Sequence, residues 1–348
     1  MKPSSSRCRI SVAMATYNGE KYIGEQLDSI ARQDVLPVEL VITDDGSTDG
    51  TLQIAGEFAR NAPFPVRIFR NETRLGYADN FLKAASLCEG DLIAFCDQDD
   101  IWVEKKLTIC SRFFEDNEVQ LVAHSAQTIG ASGEAEYYPR FSKTRVWGPY
   151  SVDPFANHPG FSMVIRRDIL YLIDSELRPD RLRSHDHWIW FLATCAGRVA
   201  TIASPLAFYR QHSGNAFGAP RQRSLTKLAA AVASTLVYDE FADFELASAN
   251  LLLLAAEKWP LRSIQFHRSA ERLRLRSTLH RLRTRLYQRE ANLADRVIAV
   301  ARILLLGGYW PDRSGTRLGA RSALKDILFG VPGIYKLSLR SLQPSDKR

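Results

Sequence analysis

Apolar and polar residues alternate between two patterns along the first hundred residues. Short, mostly apolar runs typical of buried strands occupy 10–15, 38–42, 66–69 and 92–95. Between them, apolar residues recur every three or four positions, which predicts amphipathic helices over 21–33, 49–60 and 77–88. Alternating strands and helices imply right-handed crossovers. The sequence therefore predicts an α/β fold with a mostly parallel sheet and flanking helices.

The pattern changes in the rest of the chain. Residues 121–144 are β-like with Gly and Ser breaks, and 161–165 is another short apolar strand. After Arg221 the chain is largely helical, with an Ala- and Leu-rich stretch at 225–257 and an Arg-rich stretch at 263–289. The second stretch carries one apolar helix stripe, Leu275, Leu279, Leu282 and Leu286, and a last amphipathic piece at 321–329 is closed by Gly330 and Pro332. We predict an α/β domain at 1–220 and a basic, mainly helical C-terminal appendage at 221–348, with the boundary near 215–225.

Charge is distributed unevenly over the 348 residues. Residues 259–348 hold 19 Lys and Arg against 6 Asp and Glu, so the overall charge of +7 is a property of this tail. One interpretation is a solvated helix face on an appendage packed against the α/β domain. The second is an interfacial helix on an anionic membrane surface, because clustered Arg lies beside an apolar stripe. We predict no nucleic-acid partner, since the region lacks a recognised binding module and is poor in aromatics.

The cysteines and the hydropathy bear on the compartment. Five cysteines without a CxxC pair are typical of thiols in a reducing cytoplasm. No apolar run reaches the roughly 18 residues of a spanning helix, and the nearest, 297–306, is interrupted by Arg302. The apolar stretch before Tyr17 is too short for a signal peptide. We expect a cytoplasmic protein, and the basic tail leaves open a peripheral position on the inner face of the cell membrane.

Polar residues follow three of the predicted strands. Ligands of parallel sheets collect at the carboxyl ends of the strands, and these ends carry Thr16-Tyr17-Asn18, Asp44-Asp45 and Asp97-Gln98-Asp99. Asp97 and Asp99 lie two apart on a strand and can converge on a hard divalent cation that also binds phosphates. The alternative is a solvated turn with a helix cap, since a helical pattern starts near Trp102. Neither of the glycine-rich phosphate-binding motifs, GxGxxG and GxxxxGK[ST], occurs. We therefore expect a metal ion on the acidic pair to neutralise the phosphate charge.

Three motifs in order carry a resemblance over roughly residues 8–217. The opening Ile10 to Gly19, the turn Asp44 to Thr51 and the segment Asp97 to Trp102 resemble the family 2 glycosyltransferases, in particular the rhamnosyltransferase-like members. The resemblance implies a GT-A fold, a nucleoside-diphosphate-sugar donor and an inverting mechanism. It further implies transfer to a saccharide or lipid-linked saccharide in bacterial surface polysaccharide synthesis, with manganese or magnesium as cofactor.

The resemblance also assigns roles to single residues. Thr16, Tyr17 and Asn18 would bind the donor, with Asp45 accepting a hydrogen bond from the base. Asp97 and Asp99 would hold the sugar diphosphate and the metal, with His212 as third metal ligand and Arg210 as a diphosphate partner. The loop at Gly160 resembles the one that closes over the donor sugar, although a plain turn explains it equally well.

The predicted catalytic base is Asp186. An inverting displacement needs a base opposite the leaving diphosphate, and Ser184-His185-Asp186-His187-Trp188 occupies the family's position for it. The alternative is an N-cap for a helix over 188–194. His185 departs from the acidic residue often found before the base.

Two other functions compete with the transferase. A sugar-phosphate nucleotidyltransferase would normally show a Gly-rich, Arg-containing loop after the first strand, and residues 16–21 do not. A non-catalytic nucleotide-binding module would not need Asp186. The donor sugar is not fixed by sequence: deoxythymidine diphosphate rhamnose follows from the subgroup likeness, and uridine diphosphate sugars stay open.

Overall fold

The computed structural model of the chain describes residues 8–130, 135–138, 141–172, 184–212, 236–288, 290–310 and 317–332. They fall into two compact units. The first comprises Met1–Pro149 and Pro154–Ala219, and the second comprises Tyr150–Asp153 and Pro220–Arg348. The predicted boundary after residue 220 lies outside the described residues.

The first unit is built on a ten-stranded sheet. Its strands are β1 (Ile10–Thr16), β2 (Glu39–Asp44), β3 (Val66–Arg70), β4 (Leu92–Cys96), β5 (Ile101–Trp102), β6 (Val119–Ile129), β7 (Ala135–Tyr138), β8 (Arg145–Trp147), β9 (Met163–Arg166) and β10 (Arg198–Arg210). Its helices are α1 (Ile23–Ala31), α2 (Thr51–Asn61), α3 (Tyr77–Ser86), α4 (Lys106–Ser111) and α5 (His185–Ala196).

The sheet order places four carboxyl ends side by side. The strands lie in the order β3-β2-β1-β4-β9-β6-β10-β5, with β7 beside β6 and β8 beside β10. β1 pairs in parallel with β2 and β4, and β2 pairs in parallel with β3. These are the strands predicted from the first hundred residues. The loops that follow β1, β2 and β4 therefore meet at one edge of the sheet.

Burial explains why these strands are continuous apolar runs. Every residue of β1, β2 and β4 is buried, since helices cover both faces of the parallel part. β3 has no residue that is fully buried, and its sequence alternates apolar residues with Arg67 and Arg70. Charged residues on an edge strand discourage pairing with another chain. The predicted α/β class with flanking helices is confirmed.

Two predicted elements are present but begin later than expected. The helix expected from near Trp102 begins at Lys106, because Ile101 and Trp102 form β5, which pairs antiparallel with β10. The strand expected at 161–165 begins at Met163, since Gly160–Ser162 form a 3-10 turn. Both segments lie where backbone hydrogen bonds reach parts of the chain distant in sequence, which local periodicity does not report.

The second unit contains α6 (Leu236–Lys258), α7 (Ser263–Tyr287), α8 (Leu293–Leu305) and α9 (Gly319–Lys325), the last followed by a π-helical turn at Asp326–Gly330. The predicted leucine stripe of α7 lies in its core. Leu279, Leu282 and Leu286 are buried against Ala299, Val300 and Ile303 of α8, with Leu275 packed alongside. Among the described residues, no helix is both long and apolar enough to cross a membrane.

A buried carboxylate holds the end of this unit to α7. Asp326 is fully buried and accepts hydrogen bonds from Arg283 at 2.8 Å, from the Tyr287 hydroxyl at 2.8 Å and from the Tyr309 hydroxyl at 3.0 Å. A buried charge is tolerated when it is paired and fully hydrogen-bonded.

Candidate active site

Asp44 organises the loop after β2. It is fully buried and accepts hydrogen bonds from the backbone N–H groups of Gly46 at 3.1 Å and Ser47 at 2.8 Å. An Asp that binds its own backbone two and three residues on stabilises a tight turn. Gly46 has φ of 88°, which favours glycine there. The Thr16 hydroxyl donates to Asp44 at 3.0 Å, so this predicted donor-binding residue faces the turn with its side chain.

Asn18 joins the loops after β1 and β2. Its Oδ1 accepts from the Thr48 N–H at 2.9 Å, and its own N–H donates to the Ser47 hydroxyl at 2.9 Å. Asn18 has φ of 49°, a left-handed conformation that Asn tolerates better than most residues. The predicted nucleoside pocket is therefore bordered by two loops that hold each other in place.

Gln98 fixes the third loop to the first. Its amide donates to the Tyr17 carbonyl at 3.0 Å and accepts from the Tyr17 N–H at 2.9 Å. A Cβ on Gly19 would collide with the Gln98 side chain, so Gly19 allows this close approach. Gln98 was not among the predicted site residues. No local pattern pointed to it, because its partner Tyr17 lies 81 residues away in sequence.

Asp45 is buried and already carries several hydrogen bonds. Its carboxylate accepts from the Asn71 side chain at 3.0 Å and from the backbone N–H groups of Leu75 at 2.7 Å and Gly76 at 2.9 Å. It thereby holds the loop between β3 and α3. The predicted hydrogen bond from a nucleobase would have to share this carboxylate.

Arg74 is a further residue at this opening that the sequence argument missed. Its guanidinium lies 4.0 Å from the centre of the Tyr17 ring and 3.9 Å from an Asp45 oxygen. Tyr17 is 38% exposed. The loop before α3 therefore contributes a cation next to both predicted nucleoside-binding residues.

Asp97, Asp99 and Asp186 form an acidic group. Residues 97–100 form a turn rather than an extension of β4. Burial raises the pKa of Asp97 to about 8, and the neighbouring charges of Asp99 and Asp186 act in the same direction. Asp186 comes from α5, so the fold brings the predicted base near the predicted diphosphate site. A bound cation would relieve the repulsion among these carboxylates.

Asp99 contacts the predicted third ligand directly. The Nε2 atom of His212 lies 2.8 Å from Asp99 Oδ2, and both side chains keep some exposure, 19% for His212 and 14% for Asp99. The His212 ring also stacks on Tyr22 with ring centres 4.8 Å apart. Among the described residues, no group of three His, Cys, Asp or Glu side chains is arranged to hold a metal ion.

Arg210 lies beside this pair and is buried. Its guanidinium donates to the Asp99 carbonyl at 3.1 Å and to the Glu25 carboxylate at 2.7 Å. Its backbone N–H donates to Asp100 at 3.1 Å. Arg210 therefore orders the acidic turn as well as lying near it.

Lys106 is a buried cation that the sequence argument also missed. Its Nζ donates to the Phe161 carbonyl at 2.7 Å and lies 3.6 Å from the centre of the Trp102 ring. Burial lowers the pKa of Lys106 to about 8, although acidic neighbours that include Asp100 and Asp97 oppose this. Its position at the start of an amphipathic helix gave no sign of burial, because Lys normally lies at the surface.

The N-terminus of α5 differs from the capping interpretation. Ser184, not Asp186, occupies the N-cap position. Asp186 lies in the first helical turn, where a negative charge is favoured. It accepts hydrogen bonds from the Ser184 hydroxyl and, at 2.8 Å, from the His187 N–H.

His185 packs into an aromatic pocket. It is 3% exposed and stacks on Phe81 with ring centres 4.3 Å apart. A Cβ on Gly160 would collide with its ring. His185 therefore packs directly against Gly160, which the sequence places in a loop over the donor sugar or in a plain turn.

Known proteins are similar to this chain over the segment that carries the three motifs. Residues 11–171 match the model of Glycosyl transferase family 2. The chain is 31% identical over 283 residues to the dTDP-rhamnosyl transferase RfbG of Shigella flexneri, covering 72% of this chain and 94% of that protein. The chain belongs to glycosyl transferase family 2. The predicted likeness to its rhamnosyltransferase members is confirmed.

One further relative and one solved structure are similar to the chain. A stretch of 108 residues is 35% identical to the abequosyltransferase RfbV of Salmonella typhimurium, covering 30% of this chain and 32% of that protein. The crystal structure of S. aureus TarS 1–349 in complex with UDP-GlcNAc superposes with a TM-score of 0.53 at 19% identity, covering 96% of this chain and 92% of that one. The second likeness concerns the fold, and the predicted GT-A fold is confirmed.

Proposed function

We propose that this family 2 glycosyltransferase inverts the anomeric centre as it moves a sugar from a nucleoside-diphosphate donor to a saccharide or lipid-linked saccharide. Synthesis of a bacterial surface polysaccharide is the setting that such acceptors imply. Deoxythymidine diphosphate rhamnose is the donor to test first, because the relative that aligns over 94% of its length is a dTDP-rhamnosyl transferase.

The donor would lie along the edge formed by the loops after β1, β2 and β4. The partly exposed Tyr17 ring, with Arg74 beside it, offers a surface for the nucleoside. The diphosphate would then extend toward Asp97, Asp99 and Arg210. Arg210 can exchange its ion pair with Glu25 for a hydrogen bond to a diphosphate oxygen, because the Glu25 side chain is 59% exposed and can turn to solvent.

Manganese or magnesium fits the side chains beside the diphosphate. His212 Nε2 and Asp99 Oδ2 lie 2.8 Å apart and both side chains are partly exposed, so both could ligate one ion. Asp99 and His212 would hold the ion, Asp97 would lie next to it, and diphosphate oxygens and water would complete its shell. A bound ion would neutralise the diphosphate as it leaves.

The proximity of Asp186 to the Asp97 carboxylate carries the proposal. Burial is the main cause that raises the pKa of Asp97, and the charges of Asp99 and then Asp186 act in the same direction, although Asp186 comes from a separate element. An acceptor hydroxyl between them would lose its proton to Asp186 as its oxygen attacks the anomeric carbon. The carbon–oxygen bond to the diphosphate breaks in the same step, and the nucleoside diphosphate departs on the side of Asp97 and Asp99.

Replacement of the base tests this assignment. Asp186→Asn keeps the shape and the Ser184 contact but cannot take a proton, so we expect kcat for sugar transfer to fall about 10²–10⁴-fold. Donor affinity should stay within about twofold, which calorimetry would measure. Asp168→Asn, an exposed aspartate in the same unit, is the matched control and should leave both values unchanged. Transfer at the wild-type rate by Asp186→Asn would exclude Asp186 as the base.

A further inference from the structure

Helix α8 exposes an apolar stripe along its whole length. Its outer face is formed by Leu293, Ala294, Val297, Ile298, Ala301, Leu304 and Leu305, all of them exposed. The exposed fraction reaches 64% at Leu293 and 87% at Leu305. At about 100° per residue these positions cover an arc of roughly 140°.

The opposite face of the same helix is already occupied. Ala299, Val300 and Ile303 are buried in the core of the second unit. The outer face of a surface helix is normally polar, and a helix that is apolar on all sides is covered on all sides. The stripe therefore has the composition of a buried surface.

Cations border the stripe. Arg302 lies at its edge, and a crevice of about 370 Å³ separates this edge from the end of α7. Arg285 and Arg302 line the crevice together with Glu290 and Asp295. Asp295 also closes a capping box with Asn292 at the start of α8. Residues 259–348 hold 19 cationic against 6 acidic side chains, so an anionic surface is electrostatically favoured over another basic one.

The C-terminal end of the stripe carries an aromatic ring and another cation. Trp310 is 67% exposed, and its backbone N–H donates to the Gly307 carbonyl at 3.2 Å. Arg317 donates to the same carbonyl. Trp and Arg side by side at the end of an apolar helix face are typical of the boundary between acyl chains and headgroups.

We propose that α8 binds in the plane of an anionic phospholipid bilayer. The stripe would enter the acyl-chain boundary, while Arg302 and Arg285 contact the phosphates. At 13 residues α8 is about 20 Å long, shorter than a hydrocarbon core of roughly 30 Å, so the helix lies on the membrane. A second copy of the chain is a poorer occupant, because a symmetric contact would bring two arginine-edged, strongly basic surfaces together.

This surface differs from the one expected from sequence. The expectation rested on the Arg-rich helix α7, but the leucines of α7 are core residues. The binding surface is α8 and the arginines around it. Its affinity for lipid does not depend on whether the chain transfers a sugar.

Vesicle sedimentation with the full chain tests the proposal. We expect binding to vesicles of phosphatidylglycerol and phosphatidylcholine, and little binding to phosphatidylcholine alone. The double variant Val297→Glu, Leu304→Glu places charges on exposed stripe positions, so the fold should persist while partitioning falls about tenfold or more. Arg302→Gln, a milder change, should reduce binding to the anionic vesicles about fivefold.

A matched double variant separates the stripe from apolar exposure in general. Leu261→Glu, Ile264→Glu changes side chains that are 87% and 65% exposed in the same unit but off α8, and it should bind like wild type. Circular dichroism and nucleotide-sugar binding should be equal in all variants. Absence of binding to anionic vesicles, or unchanged binding by the stripe variant, would overturn the proposal. So would a wild-type dimer, seen by light scattering, that the stripe variant converts to monomer.

Discussion

At the scale of single residues, the site depends on side chains that hold loops as much as on those that face the ligand. Gln98 links the loops after β1 and β4, because its side-chain amide forms hydrogen bonds with both the backbone N–H and the carbonyl of Tyr17. Asp44 and Asn18 do the same for the loop after β2. The positions of Tyr17 and of the acidic turn are therefore coupled.

Loss of the Gln98 amide should weaken both the fold and the donor site. In Gln98→Ala two hydrogen bonds disappear, so we expect the free energy of unfolding to fall by about 1–3 kcal/mol. The KM for the donor should rise about fivefold, which corresponds to about 1 kcal/mol. Gln53→Ala, which removes an exposed amide on α2, is the control and should change neither. A normal KM in a destabilised Gln98→Ala protein would show that the bridge is only structural.

Gly160 offers a second test at this scale. A methyl group there meets the His185 ring, so Gly160→Ala should lower the free energy of unfolding by about 1–3 kcal/mol and disturb the start of α5, where Asp186 lies. We expect a lower Tm and a lower kcat. Gly56→Ala, in the interior of α2 with open space around it, should instead raise stability by about 0.5–1 kcal/mol. A Gly160→Ala protein as stable and active as wild type would contradict the packing described for His185.

The acidic residues of the site were predicted from the sequence, but the side chains that lie around them and hold the loops were not. Asp97, Asp99 and Asp186 follow from motif and strand position, and the structure brings them together. Lys106, Arg74 and Gln98 could not be predicted, because their partners are far away in sequence and their residue types are ordinary at a surface.

At the scale of elements, Glu39 joins three strands at the other end of the sheet. It is buried at the start of β2 and accepts from the Ser11 hydroxyl of β1 at 2.6 Å and from Arg67 of β3 at 2.6 Å. The Glu89 N–H, just before β4, donates to it at 2.5 Å. Burial alone would raise the pKa of Glu39, but these hydrogen bonds and the Arg67 charge hold it below its ordinary 4.5.

This lowered pKa gives a pH dependence with a definite sign. A carboxyl group whose pKa is lower in the folded state contributes stability above its unfolded pKa and loses that contribution as pH falls through the folded value. At neutral pH, Glu39→Gln should cost about 1–3 kcal/mol of unfolding free energy. The difference from wild type should shrink as pH falls below about 4.5. Urea titrations at a series of pH values would measure it, and a constant difference would contradict the assigned role.

The predictability of elements follows the range of their contacts. β1 to β4 and α1 to α3 were predicted from local periodicity, because each spans five or more residues and can carry a period. β9 pairs antiparallel with both β4 and β6, and β5 pairs with β10. Those partners are set by loop closure and core packing, and the two-residue β5 is too short to carry a period.

At the scale of the whole molecule, two compact units divide the properties of the sequence. The first carries the acidic strand ends, and the second carries a net positive charge that is concentrated in residues 259–348. The charge asymmetry was visible in the sequence. The sequence did not show which apolar helix face of the second unit is covered. Periodicity gives equal weight to the buried stripe of α7 and the exposed stripe of α8.

The most direct test of the central claim is calorimetric binding of nucleotide sugars by the full chain. The panel should contain deoxythymidine and uridine diphosphate sugars, each with manganese, with magnesium and with a chelator. We expect one donor, deoxythymidine diphosphate rhamnose, to bind preferentially, and binding to be lost with the chelator and in Asp99→Ala. Asp99→Ala should keep the wild-type circular dichroism spectrum. Failure of every donor to bind under every metal condition would contradict the account, because the acidic strand ends would then serve a different ligand.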